Sequence, residues 1–245
     1  MPHLLAQLPQ PAIIAHRGAS RYARENTCKA FSLAVEQKAD GVELDVRLSS
    51  DGHLVVFHDA TVRHRTNGHG WVASLSLDEL RRLDAGQGEK IPTLDEVFEL
   101  LGPGVLINVE LKPILRHTQW LAEKVAQTIE RHQMQNAVLC SSFSPPALKA
   151  LARFAPEIPR GLLLPTGFIP SRLAVLAGRT LSYQTLHPDY HDVLNGSFLP
   201  TRHPSAKPIF TYTVNDATAM RQLFKAGVDA IFTDDPLLAK DIRGF

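Results

Sequence analysis

A closed (β/α)8 barrel of the α/β class is the fold that this sequence predicts, and three observations lead to it. Apolar segments typical of strands alternate with amphipathic segments typical of helices about eight times along the chain. The length of 245 residues suits one barrel, and 44% hydrophobic residues are enough for one large core. No Gly-x-Gly-x-x-Gly or phosphate-loop lysine motif follows a strand, which counts against an open nucleotide-binding sheet. We therefore expect a single domain over residues 1–245.

The first part of the chain alternates regularly and is then interrupted. We predict a strand at 12–15, a helix from about 26 to 38 that Asn26 or Thr27 can cap, and extended runs at 41–48 and 54–57. Residues 59–90 break this pattern with two glycine-containing stretches and one short helix at 77–83. We interpret them as an elaborated connection.

The later part of the chain resumes the alternation, with one irregular stretch. The pattern predicts helices at 93–101, 118–132 and 146–154, with strands at 105–112, 137–142 and 161–164. Past Pro165 it is less regular: we predict a helix at 169–177 and a strand at 181–186, followed by a stretch at 187–207 rich in Pro, His and Asp. A strand at 208–214, a helix at 216–226, a strand at 230–233 and a helix at 237–242 complete the chain.

Composition excludes some partners. A formal net charge of +1 without any Lys/Arg-rich block argues against nucleic-acid binding. Residues 1–11 do not resemble a signal sequence, and no apolar run approaches the roughly 20 residues of a membrane span. We therefore expect a cytoplasmic protein without stable membrane association. The two cysteines, Cys28 and Cys140, lie far apart in apolar segments, where reduced thiols are common.

The strand at 41–48 carries the strongest functional signal. Its apolar residues alternate with Glu43 and Asp45, so both carboxylates project from one face. Two carboxylates on a strand with apolar flanks are costly to desolvate, so either both meet water and cations or a metal ion lies between them. We favour the metal. An Asp51-Gly52 turn and a second extended run then return His58 to the same region, which outlines metal-assisted acid/base chemistry.

Two further strand ends carry polar residues. His16 and Arg17 follow the first strand, where such barrels build their active sites, and a guanidinium beside an imidazole suits a phosphate group. Asn108, Glu110 and Lys112 share a face of the strand at 105–112. Glu110 and Lys112 alone would fit an exposed ion pair. Three carboxylates at strand ends, however, supply the oxygen ligands that Mg²⁺ or Ca²⁺ prefers.

Several short motifs occur in a characteristic order: His16-Arg17-Gly18, Glu25-Asn26-Thr27, Glu43-x-Asp45, His58-Asp59, Glu110-Leu111-Lys112, Thr213-Val214-Asn215, Gly227-x-Asp229 and Thr233-Asp234-x-Pro236. Together they resemble the glycerophosphodiester phosphodiesterase family over nearly the whole chain. The resemblance implies a (β/α)8 TIM barrel with a small insertion after the second strand, at about 51–91. It also implies one divalent cation, Mg²⁺ or Ca²⁺, held by Glu43, Asp45 and Glu110, with His16 and His58 as the acid/base pair.

The resemblance implies metal-dependent hydrolysis of glycerophosphodiesters such as glycerophosphocholine or glycerophosphoethanolamine to glycerol 3-phosphate and an alcohol. Arg17 and Lys112 would then assist at the phosphate, and Tyr212 would form an aromatic wall. The sequence leaves open which histidine is the acid and whether water or the neighbouring glycerol hydroxyl attacks. A related lipid-cleaving barrel, a glycoside hydrolase using Glu43 and Glu110, and an inactive phosphate-binding barrel are the alternatives.

Two positions depart from the family pattern. Arg24 stands where the family usually has Pro, and we expect it to change only a loop. Tyr212 stands where Trp is frequent, and its hydroxyl needs a hydrogen-bond partner. The preferred alcohol therefore stays open.

Overall fold

The strands of this computed structural model form one barrel, and the structure describes residues 2–167, 182–198 and 207–244. Within these residues the strands are β1 (Ala12–Ala15), β2 (Gly41–Leu48), β3 (Leu54–Val56), β4 (Leu106–Leu111), β5 (Val138–Ser142), β6 (Arg160–Leu163), β7 (Thr185–His187), β8 (Phe210–Thr211) and β9 (Ala230–Thr233). All but β3 pair in parallel, in the order β7-β6-β5-β4-β2-β1-β9-β8. Parallel bridges from Leu186 to Ile209 and from Asp189 to Tyr212 join β7 to β8 and nearly close the ring. The predicted (β/α)8 barrel is confirmed.

The helices surround this barrel, and side-chain caps mark where most of them begin. In the part of the chain that the structure describes, they are α1 (Cys28–Glu36), α2 (Leu77–Arg82), α3 (Leu94–Leu101), α4 (Thr118–Arg131), α5 (Pro145–Phe154), α6 (Tyr190–Leu194), α7 (Ala217–Ala226) and α8 (Pro236–Arg243). Thr27 caps α1, and Ser76 and Thr93 form capping boxes that start α2 and α3. Each cap satisfies an amide that has no partner inside the helix, so these polar residues set the helix starts.

The connection after β2 forms a small subdomain beside the barrel. Strand β3 turns back and pairs antiparallel with β2, with Val46 opposite Val56. A separate apolar cluster then packs beneath the loops and α2, and it consists of Val55, Phe57, Val62, Val72, Leu80, Ala85 and Ile91. Because this cluster is built almost entirely from its own segment, the connection can carry residues to the rim of the barrel without disturbing the main core.

Some predicted elements differ from those observed. The strand predicted at 208–214 is only Phe210–Thr211, and the one predicted at 181–186 is Thr185–His187. The irregular stretch contains α6, a five-residue helix capped by Asp189 and too short to show helical periodicity. The helix predicted at 169–177 lies outside the described residues. Within the described ranges, no helix combines the length and apolar character needed to cross a bilayer.

Candidate active site

The polar strand-end residues meet in one pocket at the carboxyl end of the barrel. Of the eight predicted site residues, seven line it: His16, Arg17, Glu43, His58, Glu110, Lys112 and Tyr212. The eighth, Asp45, is fully buried and contacts the cations of the pocket. The parallel register of β2 and β4 places Asp45 opposite Glu110, which explains why residues from two strands cluster here.

The three predicted metal ligands form a compact buried group. Glu43, Asp45 and Glu110 each offer one carboxylate oxygen, and these oxygens all lie within 4.8 Å of one another. All three side chains are buried, so the solvent-facing alternative for the β2 carboxylates is wrong. Lys112 Nζ lies 2.5 Å from Glu110 Oε1 and 3.2 Å from Asp45 Oδ1, and Arg17 Nε lies 3.3 Å from Asp45 Oδ2.

Electrostatics at this group favour an added positive charge. Burial raises the pKa of Glu43 well above its ordinary value, and it raises the pKa of Glu110 to about 7. Burial would also raise the pKa of Asp45, but the charges of Lys112 and Arg17 outweigh it and hold that pKa below the ordinary value. With all three carboxylates ionised, as cation binding requires, two cations against three carboxylates leave one formal negative charge in a buried site. A hard divalent cation fits this oxygen donor set.

The hydrogen bonds of Glu43 and Asp45, and one oxygen that lacks any, also fit a bound cation. Glu43 Oε1 is buried and receives no hydrogen bond from any described residue. Its other oxygen accepts the Arg17 backbone N–H at 2.9 Å. Asn26 Nδ2 donates to Asp45 Oδ2 at 2.8 Å, and Asn26 Oδ1 accepts the Asp45 N–H at 3.3 Å. Asn26 was predicted only as a possible helix cap, a task that Thr27 performs.

His16 pairs with a carboxylate from the other end of the chain. His16 Nδ1 and Asp234 Oδ1 lie 2.6 Å apart, and Asp234 also accepts hydrogen bonds from Ser20 Oγ at 3.0 Å and Asn215 Nδ2 at 2.6 Å. Burial would raise the pKa of Asp234, but the hydrogen bond from His16 and those from its two other donors lower it to about 2. An ionised Asp234 accepts a hydrogen bond from the His16 Nδ1–H group, which leaves Nε2 available for proton transfer.

His58 has a similar partner next to it in sequence. His58 Nδ1 lies 2.8 Å from Asp59 Oδ1, and Arg47 donates from Nε and Nη2 to the His58 carbonyl at 2.9 and 2.7 Å. Burial lowers the pKa of His58 below its ordinary value, against the opposing charge of Asp45. Sequence reasoning assigned no role to Asp59 or Asp234, although both occur in the motifs that carried the resemblance.

The remaining wall of the pocket is aromatic. The Tyr212 hydroxyl donates to the Leu164 carbonyl, which supplies the partner that the sequence required. Its ring meets Phe143 edge-on with centroids 5.8 Å apart, and Lys112 Nζ lies 5.7 Å from the Phe143 centroid. Phe143 was not predicted, although its position directly after β5 is the signal that would have indicated it.

Comparisons with known proteins agree with this geometry. Residues 16–238 match the model of the glycerophosphoryl diester phosphodiesterase family. A glycerophosphodiester phosphodiesterase of Caldanaerobacter subterraneus subsp. tengcongensis is 41% identical over 233 residues, which cover 91% of this chain and 94% of that protein. An Oleispira antarctica phosphodiesterase, solved in complex with the product sn-glycerol-3-phosphate, shares 32% identity and a TM-score of 0.88 over 99% of both chains. The Thermotoga maritima glycerophosphodiester phosphodiesterase shares 28% identity and a TM-score of 0.78 over 96% of this chain and 99% of that one. This chain therefore belongs to the glycerophosphoryl diester phosphodiesterase family and is a phosphoric diester hydrolase.

Proposed function

We propose that this enzyme hydrolyses small glycerophosphodiesters, such as glycerophosphocholine and glycerophosphoethanolamine, to glycerol 3-phosphate and an alcohol. The observation that carries the proposal is that two carboxylate-paired histidines and a buried carboxylate group line the same pocket. The product bound to the Oleispira antarctica phosphodiesterase supports the choice of substrate class.

Glu43, Asp45 and Glu110 would hold one divalent cation, Mg²⁺ or Ca²⁺. When bound, the cation would supply Lewis-acid stabilisation of negative charge on a phosphoryl oxygen. Its two charges would turn the site's formal charge from minus one to plus one, which complements the single negative charge of a phosphodiester. Lys112 and Arg17 lie beside the same carboxylates and add hydrogen-bond donors for the phosphate.

The histidines would move the protons. His16 would take the proton of the attacking hydroxyl at Nε2, and His58 would deliver one from Nε2 to the leaving alkoxide. Asp234 would hold the Nδ1 proton of a neutral His16 and leave its Nε2 free to accept, whereas Asp59 would hold the Nδ1 proton of a protonated His58, whose second proton, at Nε2, is the one delivered. The attacking hydroxyl belongs either to water, with direct hydrolysis, or to the glycerol moiety, with a cyclic phosphodiester intermediate.

Two histidine variants test the assignment. With glycerophosphocholine, His16→Ala and His58→Ala should each lower kcat by on the order of 10²–10⁴, the usual contribution of a positioned acid or base. His64→Ala is the matched control, because His64 is exposed in the connection after β2. A p-nitrophenyl phosphodiester needs no proton at its leaving oxygen, so it should restore much of the rate of His58→Ala only. Restoration of His16→Ala instead would reverse the roles, and full activity of both variants on glycerophosphocholine would refute the assignment.

A further inference from the structure

A chain of alternating charges runs from one side of the pocket to the other through the connection after β2. Arg65 lies at its centre, with Nη1 3.3 Å from Glu25 Oε2 and Nε 3.8 Å from Asp59 Oδ2. The second oxygen of each carboxylate contacts an active-site residue. Glu25 Oε1 accepts from Arg17 Nη1 at 3.0 Å, and Asp59 Oδ1 lies 2.8 Å from His58 Nδ1.

We infer that Arg65 is a positioning residue, which holds His58 through Asp59 and Arg17 through Glu25. The inference rests on the proposed function, in which His58 transfers a proton and Arg17 contacts the phosphate. Arg65 itself lies outside the pocket lining. It therefore acts only through the two carboxylates that it contacts.

The two carboxylates of this arrangement are more buried than Arg65, whose side chain is 38% exposed. The side chains of Glu25 and Asp59 are 17% and 28% exposed, so water replaces a lost partner poorly at either carboxylate. Arg65 Nε is itself buried and makes no hydrogen bond with any described residue, and the carboxylates of Glu25 and Asp59 are the ion-pair partners of this side chain within the described ranges. Without the guanidinium, the described residues leave Glu25 only Arg17 and Asp59 only His58 as a partner, and each pair gains freedom to rotate.

Arg24 fixes the backbone that carries Arg65. Arg24 Nη2 donates to the Arg65 carbonyl at 3.0 Å, and Arg24 Nε donates to the Ala85 carbonyl at 2.6 Å. The Thr66 hydroxyl also donates to the Val62 carbonyl at 2.8 Å and closes the turn around Arg65. From the sequence alone we expected Arg24 to change only a loop. In the structure it also anchors the loop that bears Arg65.

A double-mutant cycle tests whether Arg65 acts through Asp59. With glycerophosphocholine, Arg65→Gln should lower kcat about tenfold, the low end of the effect of removing the outer partner of a metal-bound histidine, because Asp59 lies between Arg65 and His58. The same substitution in an Asp59→Asn background should cost clearly less, because the ion pair between positions 65 and 59 is already lost. Arg65→Lys should recover part of the rate, although one ammonium cannot contact both carboxylates. Arg63→Gln is the matched control, since Arg63 lies in the same turn, is exposed, and has no ion-pair partner in the described ranges.

A measurement without substrate separates this inference from the proposed function. The His58 Nδ1–H proton, identified by its loss in His58→Ala, should give a slowly exchanging proton NMR signal in the wild type and in Arg63→Gln. It should broaden in Arg65→Gln, or in Arg65→Lys if the Gln variant fails to fold. An unchanged signal, or equal and additive kcat losses in both backgrounds of the cycle, overturns the positioning role. Full activity of His58→Ala instead refutes the acid role in the proposed function, whatever the signal shows.

Discussion

Replacing Asp234 with Asn should inactivate His16 without unfolding the barrel, because it changes which ring nitrogen carries the proton. Asn215 Oδ1 accepts the Asp234 backbone N–H at 2.9 Å and the Thr233 hydroxyl at 3.2 Å, so the Asn215 amide cannot turn over. Asn215 Nδ2 therefore stays directed at the atom of residue 234 that is Oδ2 in the wild type. A new amide at 234 must keep its oxygen toward Asn215 and present its NH₂ group to His16.

The size of the effect follows from this orientation. His16 Nδ1 would have to accept from the new amide, which moves the ring proton to Nε2 and blocks that nitrogen as a base. The loss should approach that of deleting the base, on the order of 10²–10⁴ in kcat. The free energy of unfolding should change less than the activation free energy of the reaction. The pKa of Asp234 is lowered to about 2, so its carboxylate stabilises the fold above about pH 4, and that contribution is lost as the pH falls through about 2. With the side chain 32% exposed, we expect a loss of about 1–2 kcal/mol at neutral pH.

Three measurements decide the case. Turnover of glycerophosphocholine gives kcat, thermal melting gives stability, and nitrogen-15 NMR of the His16 ring identifies its tautomer. Asp241→Asn is the control for loss of an exposed carboxylate. A ring that keeps its Nδ1 proton in Asp234→Asn would refute the orientation argument. Normal turnover with the proton on Nε2 would show instead that His16 is not the base.

Three further outcomes follow from the site and its loops. Chelation with EDTA should abolish turnover, and added Mg²⁺ or Ca²⁺ should restore it. Calorimetry should show weaker cation binding by Asp45→Asn than by the wild type. Full activity in excess EDTA would exclude the cation site. The metal-free protein should lose thermal stability relative to a metal-free Glu110→Gln variant as the pH rises from about 4.3 to 7, because Glu110 has a pKa of about 7 in the fold and about 4.3 when unfolded. A stability difference between the two proteins that does not change over this range would contradict the protonation of Glu110. Gly18→Ala should lower the denaturant midpoint, because Gly18 has φ of +82° and a Cβ there would lie 2.6 Å from the Ala30 carbonyl carbon. Gly88→Ala is the control, since Gly88 also has a positive φ but a Cβ there would meet nothing within 4 Å. Equal midpoints for the two variants would refute the steric argument.

The carboxylate group was predictable because the alternation within β2 determines which side chains point inward. Glu43 and Asp45 alternate with the apolar residues Val42, Leu44 and Val46, so the two carboxylates share one face, and both are buried. Glu110 joins them because β4 pairs with β2 in parallel, a pairing that the barrel hypothesis supplies and local sequence does not. Period-two patterns therefore identified the carboxylates that share a face, while the barrel identified which strands bring them together.

The later part of the barrel was less predictable because short elements carry little periodicity. Strand β8 has two residues and α6 has five, which is below the length at which alternation or a helical period can be recognised. Asp189 marks α6 through its cap, yet a single Asp beside Pro188 is equally typical of a turn. The contacts that define these elements, such as the bridge from Asp189 to Tyr212, come from the neighbouring strand.

The two histidines differ in how far along the chain their carboxylate partners lie. His58 finds its carboxylate in the next residue, but His16 and Asp234 are 218 positions apart. They meet because β1 and β9 pair with Ala15 opposite Thr233, so the first residue after each strand falls at the same level of the rim. In a closed barrel the last strand must return to the first, and a polar residue directly after the last strand must then lie beside the one directly after the first. The carboxylate partner of His16 thus follows from the closure of the ring.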